Sequence, residues 1–284
     1  MFCLRPALAK YAGNGRNATI LRHHGRQCVQ ICLLASGSKG NAVFVRSGAT
    51  RLLIDAGLSS VEIIRRLALI GVNGSDLHAI LVSHDHTDHI KGAGTLGRKL
   101  KIPVLVSYPT HKAAESTFRK SEVVEFESGY SFAFRDLIIE PFPTTHDACD
   151  PVGFTIESGE GRFGFATDFG IVTRLITEKL KGCRALVIES NHDEEMLQNG
   201  PYPWHLKQRI KSRHGHISNN ESSQLLEELL HDGLEGVFLA HLSEVNNDPR
   251  LAESTATTLL AGQNVCAPRL FVGDQYRPSE LLEI

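Results

Sequence analysis

The sequence predicts a mixed α/β (α+β) domain, and three observations carry that prediction. Short apolar runs of strand character come in two series, each followed by segments with helical apolar spacing. No linker-like stretch separates the two series. Polar clusters recur directly after the apolar runs, at Asp55, His84 to His89, His146, Asp168, Glu189 and His241. That places one active face along a common set of strand ends.

Order begins with an apolar strand over residues 28–34, followed by the tight Gly/Ser loop Ala35-Ser36-Gly37-Ser38-Lys39-Gly40-Asn41. Residues 42–46 and 51–54 read as an antiparallel pair turning at Ser47-Gly48 and ending in Asp55-Ala56-Gly57. Ser59-Ser60 caps a helix over 61–70, whose apolar residues 61, 63, 64, 67, 68 and 70 fit one buried face. A strand over 77–82 empties into the His/Asp stretch. A helix over 90–99, a strand over 103–107 and a helix over 111–119 complete the first series. The second has strands at 123–126, 130–134, 137–141, 152–156, 162–166, 185–188 and 236–240, with a last one at 269–271. Helices are expected at 172–181, 204–213, 221–231 and 251–260.

Composition bounds the function. With 284 residues, 42% apolar and 22% charged, the chain has the make-up of an ordinary globular enzyme, and no run of 18 apolar residues offers a membrane span. Its six cysteines include no CxxC pair, so they read as reduced packing or surface thiols, implying a reducing, cytoplasmic setting. Cys28 and Cys32 lie four apart on one strand face and read as packing. Residues 1–27 carry five Lys/Arg and no Asp/Glu. They resemble a transit peptide or an upstream extension, and are expected to form a disordered tail before one domain over 28–284. That domain keeps 25 of the 30 basic groups against all 32 acidic ones, a formal −7. Such a body is no general polyanion binder, so nucleic-acid binding requires a local basic patch.

The stretch Val82-Ser83-His84-Asp85-His86-Thr87-Asp88-His89 puts three histidines and two aspartates into six positions at a strand tip. Imidazole and carboxylate are the groups that hold zinc or manganese. His84 and His86 are placed to share one ion, with Asp88 and His89 reaching a second.

Asp55, the His84-x-His86-x-Asp88-His89 stretch, His146, Asp168 and His241 follow the motif order of the metallo-β-lactamase superfamily, which the chain resembles over roughly residues 29–275. Within it, the Leu34–Asn41, 200–213, Gly215-His216-Ile217-Ser218-Asn219 and His241-Leu242-Ser243-Glu244-Val245-Asn246-Asn247 segments resemble the bacterial YycJ (WalJ) group of exonucleases. The resemblance implies a four-layer αββα metallo-β-lactamase sandwich with two divalent ions, Zn²⁺ or Mn²⁺. It assigns His84, His86 and His146 to one ion, Asp88, His89 and His241 to the other, and Asp168 to both. It implies phosphodiesterase chemistry by a metal-bridging hydroxide, with 5′-to-3′ action on DNA, hence a role in DNA repair. Asp55 is expected to orient a ligand loop rather than bind metal. Asp85 and Asp147 either do likewise or face solvent.

The likeness to tRNase Z and RNase J points to His216 as a phosphate ligand or proton donor, with Glu189 orienting its ring. The plainer alternative is that His216 only caps the helix from Ser218. Ser38, Lys39 and Asn41 of the Gly/Ser loop suit a phosphate, although such a loop is also a plain turn. His205, Lys207, Arg209, Lys211 and Arg213 form a basic run into His216, suited to the backbone phosphates of DNA. Arg98, Lys99, Lys101, Arg119 and Lys120 are less informative. Tyr202 and Trp204 are able to stack on bases, though core packing is their expected use. The alternative function is a small-molecule hydrolase of the same fold, acting on a thiolester, a lactone or a cyclic phosphodiester. A non-enzymatic scaffold is disfavoured because no ligand is missing.

Overall fold

The computed structural model describes residues 29–284, so the expected tail over 1–27, with Cys3 and Cys28, lies outside the described residues. Two seven-stranded sheets form the centre. The first runs β14 (Leu282–Glu283), β1 (Gln30–Ala35), β2 (Ala42–Ser47), β3 (Thr50–Ile54), β4 (Ala79–Leu81), β5 (Val104–Ser107), β6 (Val123–Phe126). The second runs β13 (Arg269–Val272), β12 (Gly236–Ala240), β11 (Ala185–Glu189), β10 (Gly161–Ala166), β9 (Val152–Ser158), β8 (Leu137–Pro143), β7 (Phe132–Phe134). Each sheet begins with antiparallel neighbours and continues parallel from β3 to β6 and from β10 to β13.

Alternation along the strands builds the layers. Ile31 and Leu33 of β1, Leu81 of β4, and Phe238 and Ala240 of β12 enter one core between the sheets, with Phe154, Phe163 and Phe165 of the second sheet. The residues between them face outward: Cys32 and Leu34, Ile80, and Val237 and Leu239. The outer face of the first sheet is covered by α1 (Ser60–Leu69), α2 (Thr87–Ile90), α3 (Ala93–Leu100), α4 (Tyr108–Ala113) and α5 (Glu115–Phe118). That of the second is covered by α6 (Arg174–Leu180), α9 (Asn219–Leu229) and α10 (Pro249–Ala261). The result is the four-layer αββα sandwich, because strands apolar on both faces must be covered on both. Two further helices, α7 (Glu194–Asn199) and α8 (Trp204–Ile210), lie on the rim.

Several boundaries differ from expectation. The helix expected over 111–119 is broken at Ala114 into α4 and α5. The one expected over 204–213 stops at Ile210, where Gly215 packs against the Arg209 and Ile210 carbonyls and turns the chain back. Besides the short α2, which lies before the helix expected over 90–99, two α-helices or strands were not read from the sequence. One is α7, although Asp193 caps it and Glu194 and Glu195 stand in its first turn. The other is β14, too short for a periodicity, which pairs Leu282 with Ile31. Cys32 and Cys183 are packing residues, and burial pushes their thiols up to about 11 and about 12. No described helix is long and apolar enough to cross a membrane.

Leu282 is fully buried in the inter-sheet core despite standing third from the C-terminus. Leu282→Ala is expected to cost about 2–5 kcal/mol in urea unfolding, against a few tenths for truncation of an exposed terminal residue.

Candidate metal centre and active site

The polar clusters meet at the C-terminal ends of the strands. Asp55 follows β3, Ser83 and His84 lie just past β4, His146 lies past β8, Asp168 past β10, and His241 follows β12, while Glu189 is the last residue of β11. Three of these, Asp55, Asp168 and His241, hold left-handed backbone at φ 59°, 59° and 58°. That conformation costs a non-glycine residue roughly 1–3 kcal/mol and persists only where the surroundings dictate it. At His241 they do: its N–H donates to Ser36 Oγ at 2.6 Å and its carbonyl accepts from Asn191 Nδ2 at 2.8 Å.

The ligand atoms form overlapping groups in which every member lies within 4.8 Å of the others: His84, His86 and His146; Asp88, His89 and His241; and His84, His89 and Asp168. Each imidazole is oriented by an acceptor on its far nitrogen. His89 Nδ1–H donates to Asp55 Oδ2 at 2.8 Å. His84 Nδ1–H donates to Ser83 Oγ at 2.9 Å, and that hydroxyl donates to Asp55 Oδ2 at 2.8 Å. His86 Nε2–H reaches the Asp147 carbonyl at 3.1 Å, and His146 Nδ1–H the Gly215 carbonyl at 3.2 Å. His241 Nδ1–H donates to Glu189 Oε1 at 3.0 Å. In the neutral rings these contacts leave the inward nitrogens as lone pairs, the form in which histidine binds metal.

The donor set fits a divalent metal. His84 Nε2, His241 Nε2 and Asp168 Oδ2 are buried with no hydrogen-bond partner among the described residues. Such buried atoms are costly unless cations satisfy them. The electrostatics agree. Burial opposes charge on Asp168, yet the imidazoles of His241 and His89 hold its carboxyl well below the usual range. Burial likewise opposes charge on His241, but Asp168, Asp88 and Glu189 outweigh it and hold the ring up at about 10. At His84, burial and the neighbouring His89 push the ring well below its ordinary value. The carboxylates thus favour positive charge beside His241, while the His84 ring is kept neutral and able to offer its lone pair to a cation.

Glu189 and His216 meet as expected. Fully buried Glu189 accepts His216 Nδ1–H through Oε1 at 2.7 Å and the Phe169 N–H through Oε2 at 3.1 Å. The same Oε1 also holds His241, a link the sequence did not indicate. The His216 ring sits 5.0 Å from that of His146 and 5.1 Å from that of His241. It does not cap α9; Ser218 does, in a capping box with Glu221. Gly215 seats this loop, since a Cβ there would stand 2.1 Å from the Ile210 carbonyl oxygen.

Other residues are placed differently from expectation. The Gly/Ser loop does not present a free row of amides: the Gly37 N–H donates to Asn41 Oδ1, that of Lys39 to Gln275 Oε1 and that of Gly40 to the Gly37 carbonyl. Lys39 is paired with Glu244 and Tyr276. Asn41 turns inward, its Nδ2 3.3 Å from Asp88 Oδ2 and 3.0 Å from His89 Nε2. Ser38 lines the cavity beside the cluster. Asp147 pairs with Arg209 at 2.5 Å, and Asp85 accepts the Cys149 N–H at 3.0 Å, so both pin the loop after His146. Lys211 and Arg213 are exposed, Lys211 reaching Gln198 at 3.1 Å. Core packing does not hold for Trp204, which is 66% exposed. Arg98, Lys99, Lys101, Arg119 and Lys120 do not line the cavity at the cluster. Ser83 and Asn191 were missed; only their neighbouring ligands in sequence marked them.

Residues 50–237 match the family model described as Beta-lactamase superfamily domain. The chain is 37% identical over 233 residues to Exodeoxyribonuclease YycJ of Bacillus anthracis, covering 80% of this chain and 88% of that one. It is 37% identical over 234 residues to Exodeoxyribonuclease WalJ of Streptococcus pneumoniae, covering 81% and 87%. Among solved structures, the metallo-beta-lactamase fold protein YhfI from Bacillus subtilis superposes with a TM-score of 0.69 at 15% identity, covering 90% of this chain and 100% of that one.

Asp55→Asn keeps the size of the side chain but removes the charge that holds His89 and Ser83. It is expected to weaken Zn²⁺ or Mn²⁺ binding about 10–100-fold, measured by competition with a chromogenic chelator. In wild type, metal at one hundred times its Kd should add about 2.7 kcal/mol to unfolding stability.

Proposed function

The chain belongs to the beta-lactamase superfamily, and from that premise we propose that it is a dinuclear metal-dependent phosphodiesterase that degrades DNA from the 5′ end. Residues 28–284 are taken as one catalytic unit. In this reading His84, His86 and His146 hold one Zn²⁺ or Mn²⁺ ion, Asp88, His89 and His241 hold the other, and Asp168 serves both. The ions would supply an acidified water and neutralise the phosphate oxygens.

The observation that carries the reading is the Glu189–His216 pair beside the ligand cluster, at 2.7 Å. Glu189 fixes the ring by its Nδ1, so Nε2 is the atom left for substrate. In the imidazolium form, Nε2–H delivers a proton to the departing oxygen. Asp88 is the more exposed carboxylate of the cluster, its side chain 26% accessible against 3% for Asp168. In this reading it accepts the proton of the attacking water. Ser38 contacts the phosphate from the cavity wall. Lys211 and Arg213 follow the strand as it leaves, in a body otherwise acidic. The two relatives named exodeoxyribonucleases support DNA over other phosphodiesters.

The test is one panel: protein with Mn²⁺ or Zn²⁺, end-labelled DNA and RNA in single and double strands, a phosphodiester dye and a thiolester. DNA shortened from its 5′ end is expected; turnover of the small substrates alone would overturn the nuclease reading. His216→Ala is expected to lower the DNA rate about 10²–10⁴-fold with metal content unchanged by atomic absorption. A near-normal rate would remove His216 from the chemistry. Replacing Lys211 and Arg213 by Gln should lower the slope of log K against log salt by about one for each phosphate no longer neutralised.

A further inference from the structure

Beside the cluster lies a cavity of about 280 Å³ whose use the phosphodiesterase chemistry does not explain. One wall belongs to the metal site, through His146 and His216. Its lining also has an apolar part: Tyr202 on the loop before α8, with Leu206 and Ile210 from the helix itself. The last two are four apart, so they lie on one helix face. Asn191 and Ser243 also line it. The one carboxylate of the lining, Asp147, is paired with Arg209.

Apolar side chains lining a cavity together with small hydrogen-bonding groups match a flat heteroaromatic ring with a polar edge better than they match a phosphate. Tyr202 is built to present its ring, since Pro201 and Pro203 flank it and fix the backbone on either side. Behind this loop the chain is close-packed, because a Cβ on Gly200 would meet the Met196 carbonyl oxygen at 2.5 Å. A second recess at His216 is lined by Glu194 and Glu221 together with Lys211, so it has no net positive lining to draw in a polyanion.

We infer that this cavity is a nucleobase site. Resting on the nuclease reading above, it takes the unpaired base of the terminal nucleotide, stacked on Tyr202, while the adjoining phosphodiester lies at the cluster. A base still paired cannot enter a slot closed by α8, so the terminal pair opens before cleavage. Stacking on an aromatic ring is indifferent to base identity, so the site selects for a base without reading sequence.

The test compares wild type, Tyr202→Ala and Tyr202→Phe on single-stranded oligonucleotides and on bis(p-nitrophenyl) phosphate, a phosphodiester without a base. Tyr202→Ala is expected to lower the ratio of kcat/KM for oligonucleotide to that for the dye about 5- to 100-fold. Tyr202→Phe should restore most of it. An abasic terminal nucleotide should impose a similar loss on wild type and little further loss on Tyr202→Ala. Equal losses on both substrates, or an unchanged ratio, would overturn the base site while leaving the nuclease reading intact. Wild type that turns over the dye but no oligonucleotide would overturn both.

Discussion

Asp55 and Glu189 are carboxylates buried to 1% and 0% exposure, one at the end of a strand in each sheet, and the site depends on how they are satisfied. A buried carboxylate left unpaired costs several kcal/mol, so it fixes the groups that donate to it. Asp55 gathers the Ser83 N–H, the Ser83 hydroxyl and His89. Glu189 gathers the Phe169 N–H, His216 and His241. Each carboxylate therefore aims one histidine of the Asp88, His89, His241 group, from opposite sheets. The cluster is assembled across the sandwich, and the packing of the two sheets is what sets its geometry.

The remaining ligands come from loops held by backbone contacts. Gly57 shows how tight these are, since a Cβ there would stand 1.6 Å from the Asp88 carbonyl oxygen. The segment after β3 lies directly against that following β4, joined by Ala56 N–H to the His89 carbonyl at 2.7 Å and Gly92 N–H to the Ala56 carbonyl at 2.7 Å. His146 depends in the same way on the Gly215 carbonyl, and so on the turn that ends α8. His146 and the chain reversal that carries His216 are thus joined directly. Movement of α8 is transmitted to both.

The basic run gains a more specific meaning in this setting. Lys207 is tied to the Gln198 carbonyl and Arg209 to Asp147, so half of its charge anchors α8 to the body. What α8 offers the site is largely shape: an apolar wall with a tyrosine at its head. The exposed Lys211 and Arg213 are the part of the run left for the phosphate contacts proposed above.

The sequence by itself determined the two strand series, the covered sheets and the His/Asp cluster proposed to hold metal. Strand alternation and a His/Asp cluster at a strand tip are local patterns, written in neighbouring residues. It also marked Asp55, Glu189 and His216, since each stands at a strand end or before a capped helix. Tertiary structure alone decided that Glu189 serves His241 as well as His216, because the two histidines are 25 residues apart and meet only through the second sheet. It decided that Lys39 is neutralised by Glu244 and that Asn41 turns toward Asp88, contacts that no spacing along the chain encodes. It also placed Tyr202 on the cavity wall instead of in the core, because whether an aromatic side chain is covered depends on what packs over it.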